Sequence, residues 1–491
     1  MPMMNEALLT DLRPTDDATP AYRQIAAKLA ALIRDGRLPA GERLPPDRTL
    51  ARALGLSRTT VVAAYDELKA AGLVHGRQGS GTYVARTLGL SGDNWIGQVN
   101  VANSRATGTR VISLSHAMPP VEGLPLLTLL RLLTEVAQSQ PELLTEYQPA
   151  EGYPPLRYEL ARLITGWGMP VRPAEVAVLS GSQQGIDLLA RLLLRPGDYV
   201  ATEAYTYCGA LTAFRAAGAR LLPVPLDGDG MQVDALASLL TRYPVRFIYT
   251  MPTFHNPTGV TLPVARRRAL LEIAARQAVP IIEDNLFEQL YYEQPPPPSL
   301  KALDREGLVY ALGSASKIIG PGLRLGWLVA PPAIVEQVAR LKRAADLHVN
   351  NLAQVAVQRF LASGQMAAHL AALRRICARR AEQMVTALGQ RLPEVAVERP
   401  RGGLYLWARL PEGLSAEAVL EDALARGVAF MPGSWFSVNG SDDGSLRLCF
   451  ANPAADQLEE AIERLAGAVR AVAGRGGLTA PGRLTSQLPL V

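Results

Sequence analysis

Lys317 is the side chain in this 491-residue sequence with the clearest capacity for covalent chemistry. It stands among glycine, serine and alanine in the segment YALGSASKIIGPGLRLGW, and Arg324 follows seven positions later. Small neighbours let a planar molecule approach the backbone closely. A desolvated lysine amine condenses with aldehydes, and a guanidinium group suits a phosphate. The segment therefore favours a site for an aldehyde that also carries a phosphate ester. An ordinary exposed lysine is the alternative while the segment is taken alone.

Further polar side chains stand where other apolar runs end. Asn256 follows FIYTMP, and Asp284 closes the run VPIIED. Ser180 closes the run VAVLS, and Gly181 and Ser182 follow it to open a helical stretch, where free N–H groups can bind a phosphate, although a serine there can also simply cap the helix. Asparagine, aspartate and lysine in this order meet three demands of pyridoxal phosphate, namely a donor to the ring oxygen, a carboxylate for the protonated ring nitrogen and an amine for the aldehyde.

The elements that must position these groups alternate along the chain. From about residue 112, short β-rich runs such as YVATE and LVYALGS are separated by helical stretches. This alternation predicts an α/β domain around a largely parallel sheet, which binds ligands at the carboxyl ends of its strands.

Residues 112–473 resemble the fold-type I, class I/II aminotransferases. The motifs YQPAEGYPPLR, LSGSQQG, HNPTG, IIEDN, SASKIIGPGLRLGW and SLRLCFA occur in the order of that family. The resemblance implies a pyridoxal 5′-phosphate (PLP)-dependent aminotransferase fold with a mostly parallel central sheet. It implies that Lys317 binds the cofactor covalently, that Asp284 pairs with the ring nitrogen and that Asn256 contacts the phenolic oxygen.

The same resemblance implies the remaining contacts. The phosphate would be held by Arg324, Ser314, Ser316, Ser180, Gly181 and Ser182. Tyr207 would stack on the ring, Tyr147 would reach the phosphate of a partner subunit, and Arg447 would bind the carboxylate of a substrate. A half-buried core tyrosine and a solvated strand charge are the alternatives for Tyr207 and Arg447. One position departs from relatives with a winged helix, which carry a tyrosine two residues after the aspartate where this chain has Leu286. This leaves Asn256 alone at the phenolic oxygen and puts efficient transamination in doubt.

Residues 20–86 form a basic module on a near-neutral body. They hold eleven Lys/Arg against five Asp/Glu, so that the rest of a chain of net charge +5 carries about −1. Such a distribution is typical of a nucleic-acid-binding module joined to another domain. A helix is predicted over 21–35, a second over 47–54, a turn at Gly55, a third helix over 58–71 capped by Ser57, and a β-hairpin after Gly72.

This pattern describes a winged helix-turn-helix, whose second short helix enters the major groove of double-stranded DNA. The stretches GERLPPDRTLA, SRTTV and GSGTYV resemble the GntR-type winged helix from Tyr22 to Val84. The pattern places Arg58, Thr59 and Thr60 at DNA and offers Arg77 at the tip of the wing. The resemblance also implies that Arg58, Thr59 and Thr60 lie at DNA, and it adds Arg48, Gly79 and Gly81 to the DNA-contacting residues.

Other features bound the interpretation. Three cysteines without paired spacing argue against a disulfide framework and a zinc site, so no metal is expected. We find neither a secretion signal nor an apolar run long enough for a membrane, which favours a cytoplasmic protein. Residues 87–111 are predicted to be a linker, and residues 474–491 a disordered tail.

A winged helix followed by an aminotransferase-like domain is the architecture of MocR/GabR-type transcription regulators. The resemblance implies a homodimer that binds an operator and uses PLP to sense an amino compound, or senses PLP itself. A working aminotransferase with an accessory DNA-binding module is the alternative. A regulator that has lost the cofactor is a third and weaker possibility, because Lys317, Asp284 and Arg324 are all retained.

Overall fold

The computed structural model describes residues 12–14, 19–34, 37–38, 41–70, 73–77, 81–84, 111–441 and 444–475. Most of the predicted linker and of the predicted tail lies outside these residues, as does Gly79.

The first module is a small winged helix. Its elements are α1 Ala21–Arg34, α2 Asp47–Leu54, α3 Arg58–Ala70, β1 Val74–Arg77 and β2 Gly81–Val84. The two strands pair antiparallel, with Val74 opposite Val84. Gly55 turns the chain between α2 and α3 with a left-handed φ of 70°, a backbone conformation that glycine adopts without strain. The predicted helices and hairpin are therefore present, each within one residue of its expected bounds.

Apolar residues of α1 and α3 fill the core of this module. Ile25, Leu29 and Ile33 of α1 are fully buried, and Val61 and Tyr65 of α3 lie among them. On α3, Ala64 is buried, whereas Val62 is only half-buried.

The second module contains a seven-stranded sheet. Its strands are β4 Val176–Leu179, β5 Tyr199–Glu203, β6 Arg220–Val224, β9 Val245–Thr250, β10 Ile281–Asp284, β11 Val309–Ser314 and β12 Gly326–Val329. They lie in the order β4-β12-β11-β10-β9-β5-β6. β12 is antiparallel to both of its neighbours, whereas the other six strands run in one direction. The expected mostly parallel sheet is confirmed. β10 and β11 are buried along their whole length, as strands covered on both faces are.

A smaller antiparallel sheet follows in the chain. It has the order β13-β14-β17-β16, from β13 Ala396–Val397, β14 Tyr405–Arg409, β16 Met431–Pro432 and β17 Ser445–Cys449. Two strand pairs complete the β structure: β3 Ile112–Ser113 lies parallel to β15 Val428–Ala429, and β7 Leu226–Asp227 lies antiparallel to β8 Gly230–Met231. The module therefore begins, at β3, against its own carboxy-terminal part.

Helices pack around both sheets. They are α4 Leu126–Ser139, α5 Glu142–Thr145, α6 Pro154–Gly166, α7 Ser182–Leu193, α8 Cys208–Ala216, α9 Val233–Arg242, α10 Val264–Gln277, α11 Leu300–Leu303, α12 Pro332–Asp346, α13 Asn351–Ala362, α14 Met366–Arg391, α15 Ala416–Ala425 and α16 Leu458–Gly474. One large core joins the central sheet to many of these helices, and a separate core packs α9, α10 and α11 against the sheet. α16 continues to Gly474, the residue at which the sequence predicted the tail to begin.

The winged helix contacts the larger module through the end of α3. Glu67 on α3 forms an ion pair with Arg220 on the edge strand β6. Arg220 also donates a hydrogen bond of 3.1 Å to the hydroxyl of Tyr199 on β5. The helix expected to read DNA is thus attached at its carboxyl end to the edge of the central sheet.

Candidate functional site

The side chains that the sequence predicts for a cofactor site lie along one edge of the central sheet. The six parallel strands end at this edge, and the antiparallel β12 begins there. Residues that follow β4, β5, β9, β10 and β11, or precede β12, therefore meet although they are far apart in sequence. This edge carries Ser180, Gly181, Ser182, Tyr207, Asn256, Asp284, Ser314, Ser316, Lys317 and Arg324.

Lys317 sits on a single 3₁₀ turn, Ala315–Lys317, immediately after β11. Ser314 fixes the start of this turn, because its hydroxyl accepts a hydrogen bond of 3.1 Å from the backbone N–H of Ser316. The Lys317 amine donates to the carbonyl of Ala117 at 2.8 Å. Burial, aided by the nearby Arg447 charge, lowers the pKa of Lys317 to about 8. A fraction of the amine is therefore neutral, and nucleophilic, near neutral pH.

Asp284 ends β10 as a fully buried carboxylate. Its Oδ2 accepts a hydrogen bond of 2.6 Å from the hydroxyl of Tyr249, whereas its buried Oδ1 has no partner. Burial raises the pKa of Asp284 to about 6, against the opposing effects of the Tyr249 hydroxyl and the Lys317 charge. A buried carboxylate oxygen without a partner fits a protonated ring nitrogen, which would supply the missing donor.

Arg447 on β17 is buried, with only 4% of its surface exposed. Its guanidinium donates to Asn256 Oδ1 at 2.8 Å, to the carbonyl of Ser115 at 2.6 Å and to the sulfur of Met431, while its Nε has no partner. Within the described chain it pairs with no carboxylate. A buried guanidinium whose partners are all neutral suits an anionic ligand. Because Asn256 Oδ1 is occupied by Arg447, the amide N–H₂ of Asn256 is the group left to face a ring oxygen.

A cradle for a phosphate lies between β4 and β12. Gly181 has a φ of 84°, and a Cβ at this position would lie 2.9 Å from the guanidinium of Arg324. Ser182 is the first residue of α7, and the start of a helix, with its first N–H groups lacking partners four residues back, suits a phosphate. Arg324 is exposed and donates to the carbonyl of Ser180 at 3.3 Å.

Three further residues have different surroundings: Tyr207, Tyr147 and Leu286. Tyr207 is half-buried and precedes α8 with its ring folded over Gly209, where a Cβ would lie 2.6 Å from the ring. Tyr147 is 83% exposed and packs edge-on against His348, so it does not join the groups around Lys317 within one chain. Leu286 packs against the core, and neither it nor the adjacent Phe287 carries a hydroxyl.

Sequence reasoning missed several groups that support this site. Tyr249 stands one strand away from Asp284, and the tyrosine in FIYTMP was the available signal. Gln184 accepts from the backbone N–H of Ser180 at 2.8 Å and donates to Asp346 at 2.5 Å. The carbonyls of Ser115 and Ala117 are backbone groups, for which residue types give no signal.

These groups fit the cofactor that the sequence implies. The site offers a lysine amine of lowered pKa, a carboxylate oxygen that lacks a donor, an amide beside it and a glycine-lined cradle next to an arginine. By contrast, the described residues contain no cluster of three or more His, Cys, Asp or Glu side chains that could hold a metal ion.

The winged helix presents a second candidate site at the amino end of α3. Ser57 caps this helix, since its hydroxyl accepts from the N–H of Thr60 at 3.1 Å. Arg58 is exposed and forms an ion pair of 2.8 Å with Asp47 of α2. Arg48 and Thr59 are also exposed, and Thr60 is partly so.

The wing adds one residue that the sequence did not suggest. Gly81 begins β2 with a φ of 120°, and the Arg43 side chain lies 2.9 Å from where its Cβ would be. The backbone of Arg43 forms an antiparallel β-bridge with Tyr83 on β2. An exposed arginine therefore lies along the wing. Arg77 is the last residue of β1, and Gly79 falls outside the described residues.

Two family models match the chain. Aminotransferase class I and II matches residues 110–465, and the gntR family of bacterial regulatory proteins matches residues 21–84. In the described part of the chain, no helix is long and apolar enough to cross a membrane.

Similar proteins fall into two groups. The chain is 37% identical to the 2-aminoadipate transaminase of Thermus thermophilus, over 73% of this chain and 90% of that protein. It is 31% identical to the probable rhizopine catabolism regulatory protein MocR of Rhizobium meliloti, over 94% of this chain and 96% of that protein. Among solved structures, α-aminoadipate aminotransferase LysN from Thermus thermophilus, complexed with N-(5′-phosphopyridoxyl)-L-leucine, superposes with a TM-score of 0.72 at 35% identity, over 78% of this chain and 98% of that one. The transaminases match about three quarters of the chain, whereas the regulator matches nearly the whole chain.

Proposed function

Because the chain belongs to the class I and II aminotransferase family and also carries a DNA-binding domain of the gntR family, we propose that it is a transcription regulator that binds PLP and responds to an amino compound. The observation that carries this proposal is the presence of both modules in one chain, in the arrangement shared with a MocR-type regulator. Because such a regulator works on chromosomal DNA, the proposal also places the protein in the cytoplasm.

Lys317 is proposed to bind the cofactor. PLP, when bound, supplies an aldehyde that links covalently to amines and a ring that withdraws electrons. The Lys317 amine is prepared for this role by its pKa of about 8. Asp284 would hold the proton on the ring nitrogen, and Asn256 would donate to the ring oxygen. The phosphate would be held by Arg324, Ser314, Ser316, Ser180, Gly181 and Ser182, with Tyr207 against the ring.

Arg447 indicates the chemical class of the effector. A guanidinium that is buried and contacts only neutral acceptors gains most from a ligand carboxylate, which can accept two hydrogen bonds from it. The cofactor requires an amine and Arg447 requires a carboxylate, so the proposed effector is an amino acid. When bound, it would engage Arg447 beside the cofactor and shift the population of DNA-binding arrangements.

The proposal includes a homodimer. Tyr147 is exposed, and so are Leu127 and Leu130 on α4. A contiguous exposed apolar surface is typical of a protein interface. A second copy that covers this surface would bring each Tyr147 towards the phosphate of the partner subunit.

The test combines a spectrum with a DNA-binding measurement. The purified full-length protein should take up PLP and show a visible absorption band that individual amino acids alter. The amino acid that alters this band should also change the affinity for the protein's own upstream DNA in gel-shift titrations. Lys317→Ala should lose both responses. Arg447→Gln should retain the cofactor band but need a much higher amino acid concentration.

The rival function predicts a different result. An aminotransferase would carry amino groups from an amino acid to a 2-oxo acid through many turnovers per site. If the protein turns over in this way while its DNA affinity is unaffected by the amino acid, the regulator proposal is wrong.

A further inference from the structure

Tyr249 and Asp284 form a buried pair that lies behind the cofactor site. Both side chains are fully buried, and the Tyr249 hydroxyl donates to Asp284 Oδ2 at 2.6 Å. The second carboxylate oxygen, Oδ1, is buried and has no partner within the chain. One oxygen is thus held from behind while the other remains available to a ligand.

The register of two parallel strands creates this pair. Tyr249 on β9 lies opposite Ile282 on β10. Asp284 is two residues beyond Ile282 and so faces the same side of the sheet. The Tyr249 ring spans the remaining distance, and the ring of Phe214 packs against it edge-on, with centroids 5.3 Å apart. The tyrosine is therefore fixed by its strand and by an aromatic neighbour, so it can hold the carboxylate in one orientation.

The direction of the hydrogen bond is also fixed. Burial and the neighbouring carboxylate raise the pKa of Tyr249 well above its ordinary value, so its hydroxyl stays protonated and acts as the donor. A donor to a carboxylate favours the ionised form of that carboxylate. This effect opposes burial, which raises the pKa of Asp284.

We propose that Tyr249 is a positioning residue that keeps Asp284 ionised and aims its free Oδ1 at the ring nitrogen of the bound cofactor. This inference rests on the proposed binding of PLP at Lys317. The hydrogen bond that supports Asp284 then comes from β9, the strand that precedes β10 in the chain. Leu286 and Phe287, which follow Asp284, carry no hydroxyl.

The experiment compares Tyr249→Phe with a matched control in the full-length protein. Phenylalanine keeps the ring and its contact with Phe214 and removes only the hydroxyl. The control is Tyr310→Phe on the neighbouring strand β11, because Tyr310 is also buried, with a pKa raised by burial and by Asp304, whereas the hydrogen bond to Asp284 Oδ2 comes from Tyr249. PLP affinity is measured by absorbance titration between pH 5 and 8, with thermal unfolding as a check on folding.

Tyr249→Phe should weaken PLP binding by about tenfold or more at pH 7, as expected for the loss of a hydrogen bond to a charged group. Affinity should fall as the pH is lowered through the Asp284 pKa, because the protonated carboxyl no longer pairs with a protonated ring. Without the hydroxyl, the Asp284 pKa rises, so the midpoint of this fall should move to higher pH. Tyr310→Phe should leave both the affinity and the midpoint at wild-type values.

Asp284→Asn completes the design. If Tyr249 acts through the Asp284 carboxylate, adding Tyr249→Phe to Asp284→Asn should change PLP affinity by much less than it does in the wild type. Equal losses in both backgrounds, or a Tyr249→Phe protein whose affinity and pH midpoint match those of Tyr310→Phe, would overturn the inference.

Two further results remain decisive. If Tyr249→Phe does not fold, Phe214→Leu serves in its place, because it retains the hydroxyl but loosens the ring; it should weaken binding and raise the pH midpoint, and unchanged values would count against the inference. A wild-type protein that takes up no PLP would instead overturn the proposed function, and this inference with it.

Discussion

At the scale of single residues, a second buried lysine shows that a lowered pKa and a position at the cofactor site are separate properties. Lys342 on α12 is fully buried, donates to the carbonyl of Ala150 at 2.9 Å and also has a pKa lowered to about 8. Burial is the main cause of the lowered pKa of both lysines. Only Lys317 lies beside the orphaned carboxylate oxygen and the phosphate cradle, so a lowered pKa alone does not make a cofactor site.

The first prediction uses this pair. Borohydride reduction of the PLP-loaded protein should fix the cofactor to the peptide that contains Lys317 and not to the peptide that contains Lys342, as read by mass spectrometry. Attachment of PLP to the cofactor-free protein should accelerate as the pH is raised through about 8, because the neutral amine is the reactive form. Wild-type levels of fixed cofactor in Lys317→Ala would refute the assignment.

Residue type and position at a strand end were sufficient to predict that Lys317, Asp284 and Asn256 lie at one edge of the sheet. Lys317, Asp284 and Asn256 each follow an apolar run, and parallel strands end at a common edge. Tyr249 could not be predicted in this way, because its partner depends on the register between β9 and β10. The acceptors at Ser115 and Ala117 depend on tertiary folding alone, since every residue has a carbonyl.

At the scale of elements, helix α3 joins two functions through its two ends. Its amino end carries Arg58, whose guanidinium is held by Asp47, and its carboxyl end carries Glu67, which contacts β6. The Asp47–Arg58 pair is exposed, and exposed ion pairs stabilise by about 0–1 kcal/mol. DNA can therefore replace this contact at little cost, while the pair keeps Arg58 near the amino end of the helix.

The second prediction concerns Arg58. If Arg58 reads a base edge, Arg58→Ala should cost about 1–3 kcal/mol on the true operator and reduce the preference for it over other sequences. If Arg58 contacts phosphate only, the loss should be nearly uniform across sequences, with a shallower salt dependence. Arg340→Ala removes one exposed arginine from the larger module and serves as the control. Equal operator affinity of Arg58→Ala and wild type at two salt concentrations would exclude α3 as the reader.

The third prediction concerns the other end of α3. Charge reversal in Arg220→Glu should separate the winged helix from β6 and increase the radius of gyration measured by small-angle X-ray scattering. Glu67→Arg should do the same, and the double exchange should restore the compact value because the pair is reformed with opposite charges. If the double exchange behaves like either single variant, the ion pair does not hold the two modules together.

Elements of the winged helix were predicted closely because each has a local signal, such as Gly55 at the turn and Ser57 at the cap. The contact between α3 and β6 had no such signal. It joins residues 153 positions apart, and each is an ordinary charged residue of an amphipathic element.

At the scale of the whole molecule, the surface of α4 is incomplete in a single chain. Leu127 is 84% exposed and Leu130 is 61% exposed, one helical turn apart. Two adjacent leucines left in water are unfavourable unless another surface covers them.

The fourth prediction follows from this surface. The wild type should sediment as a dimer at micromolar concentration, and Leu127→Glu should shift it towards monomer, since burial of a charge at the interface is costly. Ala333→Glu introduces the same charge at an exposed position of α12 and should leave the dimer intact. A wild-type protein that sediments as a PLP-loaded monomer would contradict the proposed dimer.

The hydrogen bonds of residues 115–117 carry a thermodynamic consequence. This segment closely follows β3, with which the larger module begins, and its carbonyls accept from Arg447 and Lys317, the groups proposed to bind the effector carboxylate and the cofactor. The first residues after β3 and the wall of the proposed ligand site are therefore one stretch of chain. A ligand that takes over these donors changes the hydrogen bonds of residues 115–117, and a displacement of these residues changes the proposed site. Linkage then requires reciprocity: whatever factor the amino acid applies to operator affinity, the operator must apply to the affinity for the amino acid.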